Sequence, residues 1–262
     1  MAMMSRRNFL RTLAGTGVAA AGVTLWTEIS SFPGTCVVRP VKIPAPAGWA
    51  GKTILFITDL HYGHYFGPEE TKALSARVEV ERPDLVLMGG DLAHDPQMDL
   101  EGLLANWRPG CPTVYAPGNH DMAGGRTARI VDQARAGGLI TLNNAAEDWN
   151  GLRLIGLPSA LCAPQQLSLC DAPGWKIVLG HEPDVWDHYA APDLLHLAGH
   201  THGGQICPLG QALVLPTLGR KYVHGEFSRD GNRTLLVSAG IGCIAAPVRL
   251  NCPPEILKLE LV

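Results

Sequence analysis

Five short blocks of oxygen- and nitrogen-bearing residues follow one another along the chain: Asp59-Leu60-His61, Gly90-Asp91, Gly118-Asn119-His120-Asp121, Gly180-His181 and Gly199-His200-Thr201-His202. Asp59, His61, Asp91, Asn119, His181, His200 and His202 make seven candidate metal ligands, enough to hold two divalent cations in an open hydrolytic site. Carboxylates, neutral imidazoles and one amide suit manganese, iron or zinc, whereas calcium would want oxygen alone. If one aspartate reached both ions they would stand about 3.5–4 Å apart, close enough to share a hydroxide and clamp a phosphate. The Asp59-x-His61 spacing lets alternate side chains of an extended segment point the same way.

Each block stands where an apolar run gives way to glycine or a loop, which is where open α/β sheets place their sites. Thr53–Thr58, Leu85–Met88 and Thr113–Ala116 read as buried strands that deliver the first three blocks. Helices are predicted between and after them over Pro68–Glu81, Gln97–Trp107 and Arg126–Ala136, the last closed by Gly137-Gly138. The first half is therefore β-α-β-α-β-α, the alternation of a mostly parallel sheet. In the second half, strands Leu152–Leu157, Lys176–Leu179 and Leu194–Ala198, with a short helix near Pro183–Tyr189, deliver His181 and the pair His200 and His202. Thr234–Ser238 and Glu255–Leu261 close a strand-rich half, so an α/β fold of two mixed sheets packed face to face with helices outside is expected.

The chain has 262 residues, 46% hydrophobic and 17% charged, and a net charge of −3, which argues against a nucleic-acid-binding surface. Its only dense basic cluster is Arg6, Arg7 and Arg11. Ser5-Arg6-Arg7-Asn8-Phe9-Leu10, followed by an apolar run to about Trp26, resembles a twin-arginine export signal. Residues 1–30 are thus read as signal or anchor, residues 31–51 as a linker rich in proline and glycine, and residues 52–262 as the functional domain. Export would place the domain in the periplasm or outside the cytoplasm, with the twin-arginine machinery as a partner and membrane contact through the N-terminus. Seven cysteines form no C-x-x-C pair and none lies in the five blocks, which argues against a cysteine-ligated zinc site. They are read as buried small hydrophobes or as partners in disulfides whose connectivity spacing does not reveal.

Taken in order, D-x-H, G-D, G-N-H-D, G-H and G-H-x-H resemble the signature of the calcineurin-like metallophosphoesterases across almost the whole of residues 52–262. The resemblance implies a four-layer α/β/β/α sandwich and hydrolysis of a phosphodiester or phosphomonoester by a metal-bridged hydroxide. It also implies that Asp59, His61 and His202 bind one ion, that Asn119, His181 and His200 bind the other, and that Asp91 bridges. His120 would stand beside the leaving oxygen as general acid or charge clamp, with Asp121 orienting it.

Two departures narrow the substrate. No arginine follows Asp91, where phosphoprotein phosphatases of the superfamily carry one, and His94 stands where purple acid phosphatases place a metal-binding tyrosine. His94 is a candidate substrate contact, as are Arg220, Lys221 and Tyr222, with His224, His64 and Tyr65 behind them, although a loop histidine or a surface turn would explain the same residues. The segments Gly199–Gln205, Lys221–Val223 and Pro253–Ile256 are most similar to the YkuE-type exported branch, which also holds UDP-2,3-diacylglucosamine pyrophosphatases of lipid A synthesis. The substrate could accordingly be lipid-linked or nucleotide-linked. A UDP-sugar is cytoplasmic, however, and the twin arginines point outward. A non-catalytic metal-binding envelope protein is the other alternative, and the complete ligand set speaks against it. Because the twin-arginine route carries folded proteins, metal could be loaded before export, which favours manganese over zinc.

Overall fold

The computed structural model describes residues 29–46, 48–125 and 127–262. The twin-arginine segment lies outside the described residues. Strands β1 (Ile29–Ser30) and β2 (Val37–Ile43) come first. Three βα units follow: β3 (Thr53–Ile57) with α1 (Pro68–Glu81), β4 (Leu85–Met88) with α2 (Glu101–Asn106), and β5 (Thr113–Tyr115) with α3 (Asn119–Met122) and α4 (Thr127–Ala136). The rest is strand-rich: β6 (Ile140–Thr141), β7 (Ala145–Trp149), β8 (Leu152–Gly156), β9 (Lys176–Leu179), β10 (Leu194–Ala198), β11 (Gly225–Arg229), β12 (Arg233–Val237), β13 (Arg249–Leu250) and β14 (Glu255–Leu261).

Twelve of these strands form two mixed six-stranded sheets, ordered β2-β14-β3-β4-β5-β6 and β11-β12-β10-β9-β8-β7. The continuous apolar runs of β3, β4, β9 and β10 are buried on both faces, as central parallel strands require. Ile54, Phe56, Leu85 and Leu87 of the first sheet pack between the sheets against Leu154, Ile177, Leu179 and Leu197 of the second. The alternate residues Leu55, Ile57, Val86 and Met88 face Leu74 and Val78 of α1, Leu103 of α2 and Ile130 of α4. The far face of the second sheet, with Ile155, Val178 and Val237, is covered by Val185, Trp186 and Tyr189 on and beside a 3₁₀ helix, Pro183–His188. Parallel strands ordered this way bring the C-terminal ends of β3, β4, β5, β9 and β10, and the five blocks that follow them, to one rim.

Two expectations need correction. The stretch 31–51 is not a free linker: β2 pairs in parallel with β14 along its whole length, from Val37 opposite Glu255 to Ile43 opposite Leu261, and Trp49 is buried in the inter-sheet core. Pro40 lacks an N–H, but β2 is an edge strand, where a missing donor costs little. The helix expected over Gln97–Trp107 shrinks to Glu101–Asn106 because Asp95 and Asp99 each accept a bond from the backbone N–H two residues on, at 2.7 and 2.9 Å, turning the chain before the helix starts. Among the described residues no helix is long and apolar enough to cross a membrane.

At the head of β14, Glu255 ties the first sheet to the loops of the second. It accepts from Arg39 Nε at 2.9 Å, lies 3.0 Å from His224 Nε2, and accepts from the Ala239 N–H at 3.3 Å. Burial alone would raise its carboxyl, yet His224 and Arg39 hold it down to about 2. A folded value below the unfolded one stabilises the protein above about pH 4.5, and this contribution is lost as pH falls towards 2. Glu255→Gln is expected to cost about 2 kcal/mol at pH 7 in urea unfolding and to flatten the decline in stability between about pH 5 and 2.

Candidate metal centre

Asp59 and His61 follow β3, Asp91 follows β4, His181 follows β9, and His200 and His202 follow β10; none is more than 7% exposed. Their ligating atoms converge. Asp91 Oδ2 is 3.2 Å from His181 Nε2 and 3.6 Å from His61 Nε2, while Asp59 Oδ1 is 3.4 Å from His202 Nε2 and 3.8 Å from His181 Nε2. Asp59, His61 and His202 form one close group, and Asp59, Asp91 and His181 a second that shares Asp59. His61 and His202 meet Nε2 to Nε2 at 3.0 Å.

The backbone is bent to achieve this. Asp59, His61, Asp91, His200 and His202 all have φ between 50° and 69°, a region non-glycine residues seldom enter. Two block glycines are required by close approach. A Cβ on Gly118 would overlap the Asp91 carboxylate, and one on Gly199 would overlap both the Asp59 carboxylate and Thr58.

Several side chains orient the donors. Thr58 Oγ1 donates to Asp59 Oδ2 at 2.9 Å, and the His200 N–H donates to both Asp59 oxygens at 3.1 Å. His181 Nδ1 is 2.8 Å from the Gly89 carbonyl and His200 Nε2 is 2.8 Å from the Thr217 carbonyl. Only an N–H bonds a carbonyl, so the neutral His200 ring keeps a lone pair on its other nitrogen, whereas His181, held charged by Asp91, would give up its Nε2 proton when a metal ion binds there. His61 Nδ1 stands 3.4 Å from His94 Nδ1, which places His94 beside a ligand as its partner. Arg249, fully buried, donates to the Gly242 carbonyl at 2.7 Å and lies 3.2 Å from His202 Nδ1.

Burial dominates the electrostatics. It pushes the imidazoles of His61, His200 and His202 down, so they are neutral, and raises the Asp59 carboxyl to about 6. Burial also works against charge on His181 and Asp91, but their mutual attraction wins: His181 is raised and Asp91 lowered. Two of the proposed ligand atoms, Asn119 Oδ1 and His181 Nε2, are among the buried side-chain atoms that lack a hydrogen-bond partner, His181 Nε2 having only the ion contact to Asp91 at 3.2 Å. Orphaned, buried and set among carboxylates and neutral imidazoles, they fit divalent cations of the manganese, iron and zinc type.

Among the remaining candidates, His120 is half-buried on the same rim: its ring centroid lies 4.7 Å from that of His61, its N–H donates to Asp91 Oδ1 at 2.8 Å, and its Nδ1 lies 2.8 Å from the His94 carbonyl. Asp121 is fully buried and accepts from the N–H groups of Leu92, Ala93 and Gly118 at 2.8–3.2 Å. It binds the second block to the third and has no route to substrate. Burial, then the charge of Asp91, raises its carboxyl to about 6. Lys221 and Tyr222 are not brought to the rim: Lys221 Nζ pairs with Asp187 and the Tyr222 hydroxyl donates to Asp187 Oδ1 at 2.9 Å, beside Arg229. The Tyr222 ring is part of the core over the second sheet. A basic and aromatic turn serves such an ion-pair network as readily as a phosphate. His224 is held by Glu255, and Arg220 is exposed beside Leu213 and Val214. Thr58 and Arg249 were not singled out from the sequence. Thr58 adjoins a block and was within reach of it, but Arg249 lies 47 residues beyond His202 with no local motif.

A family model described as calcineurin-like phosphoesterase matches residues 52–204. The chain belongs to the calcineurin-like phosphoesterase family. It is 30% identical to phosphodiesterase YaeI of Escherichia coli over 285 aligned residues, covering 99% of this chain and all of that one. With the uncharacterized metallophosphoesterase YkuE of Bacillus subtilis it shares 28% identity over 100% of this chain and 99% of that one. A dimetal phosphatase from Danio rerio overlays 73% of this chain and 88% of its own at a TM-score of 0.45 and 11% identity. As a calcineurin-like phosphoesterase with buried Asp and His metal-binding groups, the protein is a metal-dependent phosphoric ester hydrolase.

Replacing Asp121 by alanine strips three buried N–H donors of their acceptor. It is expected to destabilise the protein by about 2–4 kcal/mol in denaturant unfolding, and to lower kcat by about 10- to 100-fold because the second and third blocks lose their common anchor.

Proposed function

We propose that the protein is a dinuclear-metal phosphodiesterase working outside the cytoplasm. The observation that carries the chemistry is the convergence of Asp59, His61 and His202, and of Asp59, Asp91 and His181, with Asn119 Oδ1 buried and unpartnered in the third block. In this reading Asp59, His61 and His202 hold one ion, Asn119, His181 and His200 the other, and Asp91 reaches both. The approach of Asp91 Oδ2 to one histidine of each set, at 3.2 and 3.6 Å, supports that sharing. Bound there, two divalent ions supply positive charge for the phosphoryl oxygens and a lowered pKa for water.

The residues of the chain do the rest. The His94 carbonyl accepts a hydrogen bond from the Nδ1–H of His120, leaving Nε2 to give a proton to the leaving oxygen. The bond from the His120 N–H to Asp91 fixes the distance between that proton and the carboxylate at the centre of the cluster. His94 Nδ1 lies 3.4 Å from His61 Nδ1, and its own imidazole is pushed down to about 4 by burial and then by His64 and His120. It therefore stays uncharged near neutral pH and does not compete with the cations.

The diester preference is supported by likeness along the whole chain to a phosphodiesterase. Arg6 and Arg7, before a stretch with no acidic residue until Glu28, support export. Loading in the cytoplasm before export supports manganese as the resident metal.

With manganese added, bis(p-nitrophenyl) phosphate should be hydrolysed and a chelator should stop it. Asp91→Asn should lower kcat by at least about a hundredfold, with loss of metal by elemental analysis. His120→Ala should lower kcat by about 10²- to 10³-fold with metal content unchanged. No turnover with manganese, iron, zinc or cobalt bound would sink the enzymatic reading. Replacing Arg6 and Arg7 together by lysine should leave the protein in the cytoplasmic fraction, whereas the parent chain should be digested by protease added to spheroplasts.

A further inference from the structure

Glu182, directly after the ligand His181, is fully buried and has no part in the chemistry above. A buried carboxylate is costly unless its oxygens are bonded. Both are spent on one loop: Oε1 accepts from the Ser159 hydroxyl, and Oε2 accepts from the Ala160 N–H at 2.9 Å. That loop follows β8 and runs without strand or helix as far as a 3₁₀ turn at Leu167–Asp171.

From Glu182 the loop reaches both ends of α3, the short helix that begins with Asn119. The Ser159 N–H donates to Met122 Sδ at 3.3 Å, and the Cys162 thiol donates to the Asn119 carbonyl at 3.7 Å. The loop keeps its own shape, because the Cys162 and Ala163 N–H groups donate to the Ser159 carbonyl at 3.1 and 3.0 Å, and Gln165 Nε2 donates to the Pro158 carbonyl at 2.8 Å. The third block is thus gripped twice. Asp121 and the His120 N–H tie it to the second block on the first sheet, and the Glu182 loop ties it to the fourth block on the second sheet.

The path therefore starts one residue from His181 and ends at Asn119, two ligands of the same ion in the reading above. None of its hydrogen bonds touches Asp59, His61 or His202, which hold the other ion. An amide oxygen carries no net charge, so what Asn119 adds to cation binding depends on close placement rather than on long-range attraction. We infer that Glu182 is a positioning residue for the ion held by Asn119, His181 and His200: through Ser159, Ala160 and Cys162 it sets where Asn119 stands relative to His181. This inference rests on the dinuclear reading of the site and adds to it how ligands from the two sheets are kept in register. A role for the charge of Glu182 alone is separated from it by Glu182→Gln, which can still accept from the Ala160 N–H and donate to Ser159 Oγ.

The test is manganese binding to the full chain, read by elemental analysis after equilibrium dialysis at a series of free manganese concentrations. The parent chain should bind two ions. Glu182→Ala should weaken one of them by about 10- to 100-fold and leave the other within about threefold. Its hydrolysis of bis(p-nitrophenyl) phosphate should fall at limiting manganese and recover in excess, a rescue that general damage to the fold would not show. Glu182→Gln should stay within about threefold of the parent chain at both ions. Ser159→Ala, which leaves the Ala160 bond in place, should weaken one ion by about 3- to 10-fold, and it carries the test if Glu182→Ala does not fold. Equal weakening of both ions, no weakening of either, or a Glu182→Gln as weak as Glu182→Ala overturns the inference, while two ions on the parent chain leave the dinuclear reading standing. A parent chain that binds a single ion overturns both.

Discussion

Two carboxylates, Asp59 and Asp91, and the imidazoles of His61, His181, His200 and His202 are buried together, with His181 Nε2 left without a hydrogen-bond partner. Burying like charges this close is costly unless positive charge stands between them. The protein meets part of that cost internally, since His181 is raised and Asp91 lowered by each other, but Asp59 is left raised to about 6 by burial and then by Asp91. His61, His200 and His202, neutral through burial, offer lone pairs rather than charge. The arrangement is balanced only by cations from outside the chain. Electrostatic need and ligand chemistry are here the same fact.

That concentration of charge has to be held against its own repulsion, and the backbone does so. Each donor stands two to four residues beyond the end of a strand buried on both faces, so the sheets act as a rigid frame for residues whose φ values are unfavourable. Gly118 and Gly199 let one segment pass against the carboxylate of another. Asp121 and Thr58 spend their hydrogen bonds on the blocks themselves. Strain at the rim is thus supported by the same inter-sheet core that makes the fold stable, and the site cannot be relaxed without disturbing strand ends on both sheets.

This coupling explains why so much was legible from residues alone. A ligand block needs particular side chains, a permissive glycine and a preceding apolar strand, and all three leave marks within ten residues; Leu85–Met88, Lys176–Leu179 and Leu194–Ala198 were readable to the residue for that reason. What depends on distant partners left no such mark. Val37–Ile43 is a strand because β14, more than 200 residues later, offers its edge, and Pro40 concealed it. Arg249 reaches His202 only after the chain has traversed β11 and β12. Lys221 and Tyr222 carried the right chemistry for a phosphate and were claimed by Asp187 instead, a choice set by which layer their turn covers.

The two halves of the fold consequently carry different kinds of information. The first three blocks hang from βα units whose helices pack closely on the first sheet. The second half covers its sheet with short turns and spends the intervening chain on the loops 203–224 and 239–253, which surround His200 and His202. Metal ligation tolerates almost no variation in type or backbone, whereas an apolar wall needs only hydrocarbon surface at the right distance. Reactivity is therefore written in short, strained, recognisable blocks. The apolar groove lined by Ile206, Leu213 and Ile244 next to His200 and His202 comes from distant loops, and no short block announces it.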